Sequence, residues 1–137
     1  MRILAVDHGQ SRIGLAITDA SGIVARPLKV IYHTARKQDA ESVAATAAKN
    51  AADLIVIGLP TDSNGRIGPA ASTVQRFGNF LKTITDIRVE YWDESYSTQR
   101  ARELLRPNRR SAKQSVDAAA AAVILQDYID THHAEID

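Results

Sequence analysis

A chain of 137 residues, 45% of them hydrophobic and 24% charged, fits one domain (1–137) with a real buried core. It has no Cys, which excludes disulfides and thiolate metal sites and agrees with a reducing cytosol, and its net charge of +1 singles out no class of partner. No secretory signal precedes Ile3 and the longest apolar run, Ala118 to Leu125, is too short to span a bilayer, so a soluble cytoplasmic protein with no membrane partner is expected.

Ile3 to Asp19, ILAVDHGQSRIGLAITD, reads as a β-hairpin. Two continuous aliphatic runs, Ile3 to Val6 and Ile13 to Ile17, flank the polar turn His8 to Arg12 and suggest strands buried on both faces. Asp7 then stands at the mouth of a central strand. Gly9 permits a close approach to the backbone, and Gly14 leaves space where Asp7 projects. Ile23 to Tyr32 is a third strand, placed at a sheet edge by Pro27, which cannot donate to a ladder.

Residues 37–51 carry Ala40, Val43, Ala44, Ala47, Ala48 and Ala51 at helical spacing. Asp53 to Gly58 is another central strand, followed by a loop, Leu59 to Pro69, whose Gly65 and Gly68 suggest a flap. A helix from Pro69 to Ile84 precedes a fifth strand, Ile87 to Trp92, whose alternation marks the other edge. Ser97 or Thr98 can cap a short helix ended by Pro107. Ser111 or Ser115 caps a last helix to about Ile129, and 130–137 is expected to fray.

Three strands with short connections, then helix, strand, helix, strand and helices, predict a mixed α/β sheet of order 3-2-1-4-5 flanked by helices. That layout resembles the ribonuclease H-like fold.

Two-metal phosphodiester cleavage needs carboxylates from different elements converging on hard cations about 3.5–4 Å apart. Asp7 ends the first strand, Asp93 and Glu94 end the fifth, and Asp117 opens the last helix. Such oxygen-only ligands select Mg²⁺ or Mn²⁺, in this chemistry two ions. Each acid also has a plain structural explanation: an Asx turn for Asp7, a loop start for Asp93 and Glu94, the helix dipole for Asp117. Their co-occurrence raises them above those explanations. Between Asp93 and Glu94 the choice stays open, since Glu94 is longer while alternation puts Asp93 on the apolar side with Tyr91 and Ile87.

Charge is uneven along the chain. Arg100, Arg102, Arg106, Arg109, Arg110 and Lys113 face one acid, Glu103, a local +5 that leaves −4 elsewhere. This run reads either as a solvated surface or as a footprint for nucleic-acid phosphates, and Arg12 beside Asp7 is a candidate phosphate clamp. His8 is a candidate general base but, as a turn His, reads as surface, His132 and His133 as part of the frayed tail, Trp92 as packing; Tyr96 and Trp92 are also candidates for base stacking.

The segments DHGQSRIGLAITD, VIGLP with its Gly-containing loop, WDESYST and VDAAAAAVILQDYI together resemble the four conserved blocks of the YqgF/RuvX family across nearly the whole chain. Its members are described as Holliday-junction resolvases and as nucleases that process the 5′ end of precursor 16S rRNA. The resemblance implies metal and catalytic roles for Asp7, Glu94 and Asp117, and a nucleic-acid partner, precursor rRNA or branched DNA. Symmetric junction cleavage would further require a homodimer. Two departures stand out. The family's Asp-Glu-Arg is Asp93-Glu94-Ser95 here, and Ala120 stands where RuvC-type resolvases carry a second helix acid, which implies metal binding that is weaker or needs the substrate's own phosphate.

Two rival readings follow. A catalytically weak ribosome-assembly factor would bind without cutting. Asp7-x-Gly9-x-x-x-x-Gly14 also resembles the phosphate loop of actin-like ATPases and sugar kinases, which need two such domains.

Overall fold

The computed structural model describes residues 1–60, 68–93 and 112–136, with side chains in the last segment covering 118–132. Residues 61–67 of the expected loop Leu59 to Pro69, the short helix capped by Ser97 or Thr98, and the rest of residues 94–111 lie outside the described residues. Five strands, β1 (Ile3–His8), β2 (Arg12–Thr18), β3 (Ala25–Tyr32), β4 (Leu54–Leu59) and β5 (Arg88–Asp93), form one sheet of order β3-β2-β1-β4-β5. β1 is antiparallel to β2 and parallel to β4, and β4 is parallel to β5. The expected layout and both edges are thus observed. Pro27 lies on edge strand β3 beside a register shift at Leu15/Ala16, where a missing N–H costs no ladder bond.

Helices α1 (Arg36–Lys49), α2 (Pro69–Ile84) and α3 (Ala112–Ile136) cover the sheet. Alternation along the strands divides the core. Leu4, Val6, Ile13, Leu15, Ile17, Ile55 and Ile57 pack with α1 and α2, while Ile3, Ala5, Ala16, Leu54 and Val56 pack with Ala121, Leu125, Tyr128 and Ile129 of α3.

Three boundaries differ from expectation by two residues or more. β3 begins at Ala25 because Ile23 is still in a turn, where the Asp19 carboxylate accepts from Ser21 Oγ, Gly22 N and Ile23 N. α1 stops at Lys49 because Ala51 takes φ 55° and closes a Schellman cap. The expected frayed tail is helical to Ile136. Gln126 donates to Asp130 Oδ1 (3.0 Å), and His132 bonds the Tyr128 carbonyl oxygen (2.8 Å) and stacks on the Tyr128 ring at 3.8 Å.

Candidate active site

Asp7 is the next-to-last residue of β1 and is only 8% exposed. It is in register with Gly14 of β2, and one step past the last pair with β4, Val6 with Ile57, it falls beside Gly58. Two residues without side chains therefore flank the carboxylate in the sheet. By alternation Asp7 shares the α3 face with Ile3 and Ala5. Arg12 lies on that face too, two and four residues before Gly14 and Ala16.

Helix α3 runs against β1. Its Tyr128, Ile129 and His132 line a hollow with Met1, Ile3 and Leu54, at the N-terminal ends of β1 and β4. Gln126 spans to β3, accepting from Ala25 N at 3.1 Å and donating to Ile23 O at 3.2 Å. From Ile129 back to position 117 is roughly 18 Å of helix. From Ile3 to Asp7 is roughly 13 Å of strand. The N-terminal turns of α3 thus run toward the end of β1 where Asp7 stands, and position 117 precedes Ala121 by one turn. Ala120, at the place of a second helix acid, is 1% exposed.

β5 separates its two candidate acids by parity. Glu90 and Trp92 face α3: Tyr128 Oη donates to Glu90 Oε2 at 2.5 Å, and Trp92 meets Tyr128 edge-on at 5.4 Å, so Trp92 is packing. Val89 and Tyr91 pack with the α1/α2 core, and alternation puts exposed Asp93 with them, on the face away from Asp7. Glu94, Arg100, Arg106, Arg109 and Arg110 lie outside the described residues, as do the side chains of Lys113 and Asp117. Among the described residues, no three His, Cys, Asp or Glu stand together as a metal site. The proposed donors are all hard carboxylate oxygens, and Asp7 meets that requirement in a sheltered strand-end position.

The opposite face holds a cluster that the sequence gives little hint of. His33, just past β3, has Nδ1 2.8 Å from Asp39 Oδ2 and Nε2 2.7 Å from the Gly9 carbonyl oxygen. Both ring nitrogens face acceptors, so both bonds are made together only by the doubly protonated ring. Asp39, buried in the first turn of α1, also accepts from Thr34 N (3.0 Å) and Thr34 Oγ1 (3.1 Å). Burial pushes its carboxyl up, but the hydrogen bonds from His33 and Thr34 outweigh burial and hold it below the usual carboxylate range.

His8 is not the surface residue expected of a turn: its ring lies between His33 and Phe77, and burial, reinforced by the charge on His33, lowers its pKa to about 4. These groups border a groove of about 540 Å³ with Gln10, Arg36 and Thr73. His33 was missed because its partner at residue 9 is a backbone oxygen, which no side-chain motif records; Thr34 ahead of Asp39 at a helix start was the one available cue.

Comparison with known proteins matches the family described as "RuvX: Holliday junction resolvase" over residues 1–131. A "Putative pre-16S rRNA nuclease" of Anaeromyxobacter sp. (strain Fw109-5) is 42% identical over 137 residues, covering 98% of this chain and 100% of the relative. One of the same name from Carboxydothermus hydrogenoformans is 38% identical, covering 95% and 96%. Among solved structures, the fold is similar to T. thermophilus RuvC in complex with a Holliday junction substrate (TM-score 0.64, 12% identity, 98% and 96% coverage). It is also similar to the fowlpox virus Holliday junction resolvase (TM-score 0.58, 15% identity, 96% and 99% coverage).

Proposed function

Because the chain belongs to the RuvX family, we propose that it is a divalent-metal-dependent nuclease that hydrolyses phosphodiester bonds in structured nucleic acid, with precursor 16S rRNA as its substrate. The observation that carries this reading is Asp7: a sheltered carboxylate between two glycines, on the sheet face and at the strand end toward which α3 carries position 117. Asp7, Glu94 and Asp117 would hold Mg²⁺ or Mn²⁺. When bound, such ions supply charge neutralisation at the phosphate and a more acidic water. Arg12, on the face of Asp7, orients a phosphate through its planar fork of donors, and Arg100, Arg106, Arg109, Arg110 and Lys113 follow the backbone on either side of the cut.

The choice of rRNA rests on the names of relatives matched nearly end to end, and the cytoplasm is where such a substrate would be met. No helix among the described residues is long and apolar enough to cross a membrane. A second reading, a four-way DNA junction as substrate, is favoured by the description of the matching family and would call for a homodimer. An Ala at position 120, where RuvC-type resolvases carry a second helix acid, favours a weakly catalytic assembly factor as the alternative to cutting.

Incubating the protein with a precursor 16S rRNA 5′ fragment and with a synthetic four-way junction, each with Mg²⁺ or Mn²⁺, tests the assignment by mapping the ends. Cleavage at discrete rRNA positions, abolished in Asp7→Asn and Asp117→Asn, is expected. Binding without cleavage under every condition would leave the assembly-factor reading standing.

A further inference from the structure

We propose that His33 is a positioning residue for the nuclease site, holding the β1–β2 turn, and with it the spacing of Asp7 and Arg12, from the opposite face of the sheet. The proposal rests on the roles of Asp7 and Arg12 stated above. The turn Gly9 to Arg12 is short and joins the two residues directly. Gly9 N donates to Arg12 O at 2.9 Å, and a Cβ on residue 9 would press on that same oxygen. Residue 33 grips this turn twice. Its ring Nε2 reaches Gly9 O at 2.7 Å, and its backbone N donates to Ser11 O at 3.2 Å.

The anchor behind His33 is buried and hydrogen-bonded. Asp39, 4% exposed, sits in α1 and is itself tied to Thr34 by two bonds, so the chain of contacts runs from a packed helix through an imidazole to the turn. A core-filling role explains this poorly, because the His33 side chain is 22% exposed and water could replace its bonds at modest cost to folding. What water cannot replace is the fixed separation between α1 and the Gly9 carbonyl. A site tuned to sub-ångström spacing depends on such supports, and a shift of about 1 Å can cost about 100-fold in rate.

Two near-isosteric substitutions divide the bonds. The amide nitrogen of His33→Gln stands where Nε2 stands and can still donate to Gly9 O; that of His33→Asn stands where Nδ1 stands and reaches only Asp39. In the metal-free protein, exchange of the Gly9 and His33 amides should be about tenfold faster in His33→Asn and close to wild type in His33→Gln. On precursor rRNA, His33→Asn should lose about 30- to 100-fold in kcat with KM little changed, while His33→Gln stays within about threefold of wild type.

Equal exchange in both variants, or equal loss of activity together with an equal fall in melting temperature, overturns the proposal. If the wild-type protein cuts neither substrate, the nuclease reading fails on its own. The exchange comparison then decides by itself whether His33 holds the turn.

Discussion

The His8 ring centroid lies 4.8 Å from that of His33, tilted by 52°, and 4.7 Å from that of Phe77 on α2. Burial first, then the charge on His33, lowers the His8 pKa from 6.5 to about 4, against smaller opposing effects of its own backbone and Asp39. In the unfolded chain His8 takes a proton near 6.5, whereas the folded protein refuses it until about 4. Between these values the unfolded state binds more protons, so stability is full above 6.5 and falls as pH drops toward 4. Discounted for its partial exposure, the loss should be about 2 kcal/mol. Below that window Asp39 continues the trend, because its depressed carboxyl loses its bonds as it protonates. Denaturant unfolding of the wild type and His8→Phe from pH 4 to 7 measures the difference, and parallel profiles would contradict it.

Ala51 offers a gain in stability. It is the left-handed residue of the cap ending α1, with Ala51 N on Ala48 O (3.1 Å) and Ala52 N on Ala47 O (2.9 Å). Its Cβ costs about 1–2 kcal/mol in that conformation. Glycine removes the cost but has a freer unfolded chain, so Ala51→Gly should stabilise by about 0.5–1 kcal/mol. A lower denaturation midpoint in this variant would show the φ strain to be relieved some other way.

Gly78→Ala should do the reverse. A Cβ at 78 would run into the ring and hydroxyl of Tyr91, whose Oη is 3.1 Å from both Gln75 O and Asn79 Oδ1. Moving the ring gives up those bonds, and the overpacking should cost about 1–3 kcal/mol. In a Tyr91→Leu background the same change should cost much less, a non-additivity that a double-mutant cycle reads directly.

What could be read in the sequence follows from where the deciding forces are local. The apolar runs of β1, β2 and β4, Pro27 at an edge and Pro69 at a first helical turn are consequences of nearby residues, and each element appears as expected. The end of α3 was misread because Asp130 and His132 are polar, while what keeps them helical is a bond from Gln126 and stacking on Tyr128. His8 was misread for a similar reason: its environment is made by β3, α1 and α2, all distant in the chain. The place of Asp7 at the end of a strand was legible because the apolar run Ile3 to Val6 leads straight into it.

The basic run Arg100 to Lys113 makes a prediction from charge alone. If Arg109 and Arg110 each neutralise a phosphate, replacing both by Ala should flatten the slope of log K against log salt by about one to two units. Binding should weaken similarly across sequences, with little change in stability. An unchanged slope would return the run to a solvated surface.

The parity of the fifth strand makes a prediction about which acid would complete the proposed site. Tyr91 and Val89 pack on the α1/α2 side, Trp92 and Glu90 on the α3 side, and Asp7 belongs to the α3 side. Asp93 therefore follows Tyr91 away from Asp7, and one further residue of extended chain would return Glu94 to the face of Asp7. β5 is two strands from β1, about 10 Å away, a span that favours the longer Glu side chain. Glu94→Gln should then abolish cleavage while Asp93→Asn keeps most of it, both with wild-type melting temperatures. Metal titration followed by calorimetry should show the same split, with affinity lost in Glu94→Gln and retained in Asp93→Asn. The opposite pattern, an active Glu94→Gln and a dead Asp93→Asn, would mean that the chain breaks its alternation after Trp92 and turns Asp93 toward Asp7.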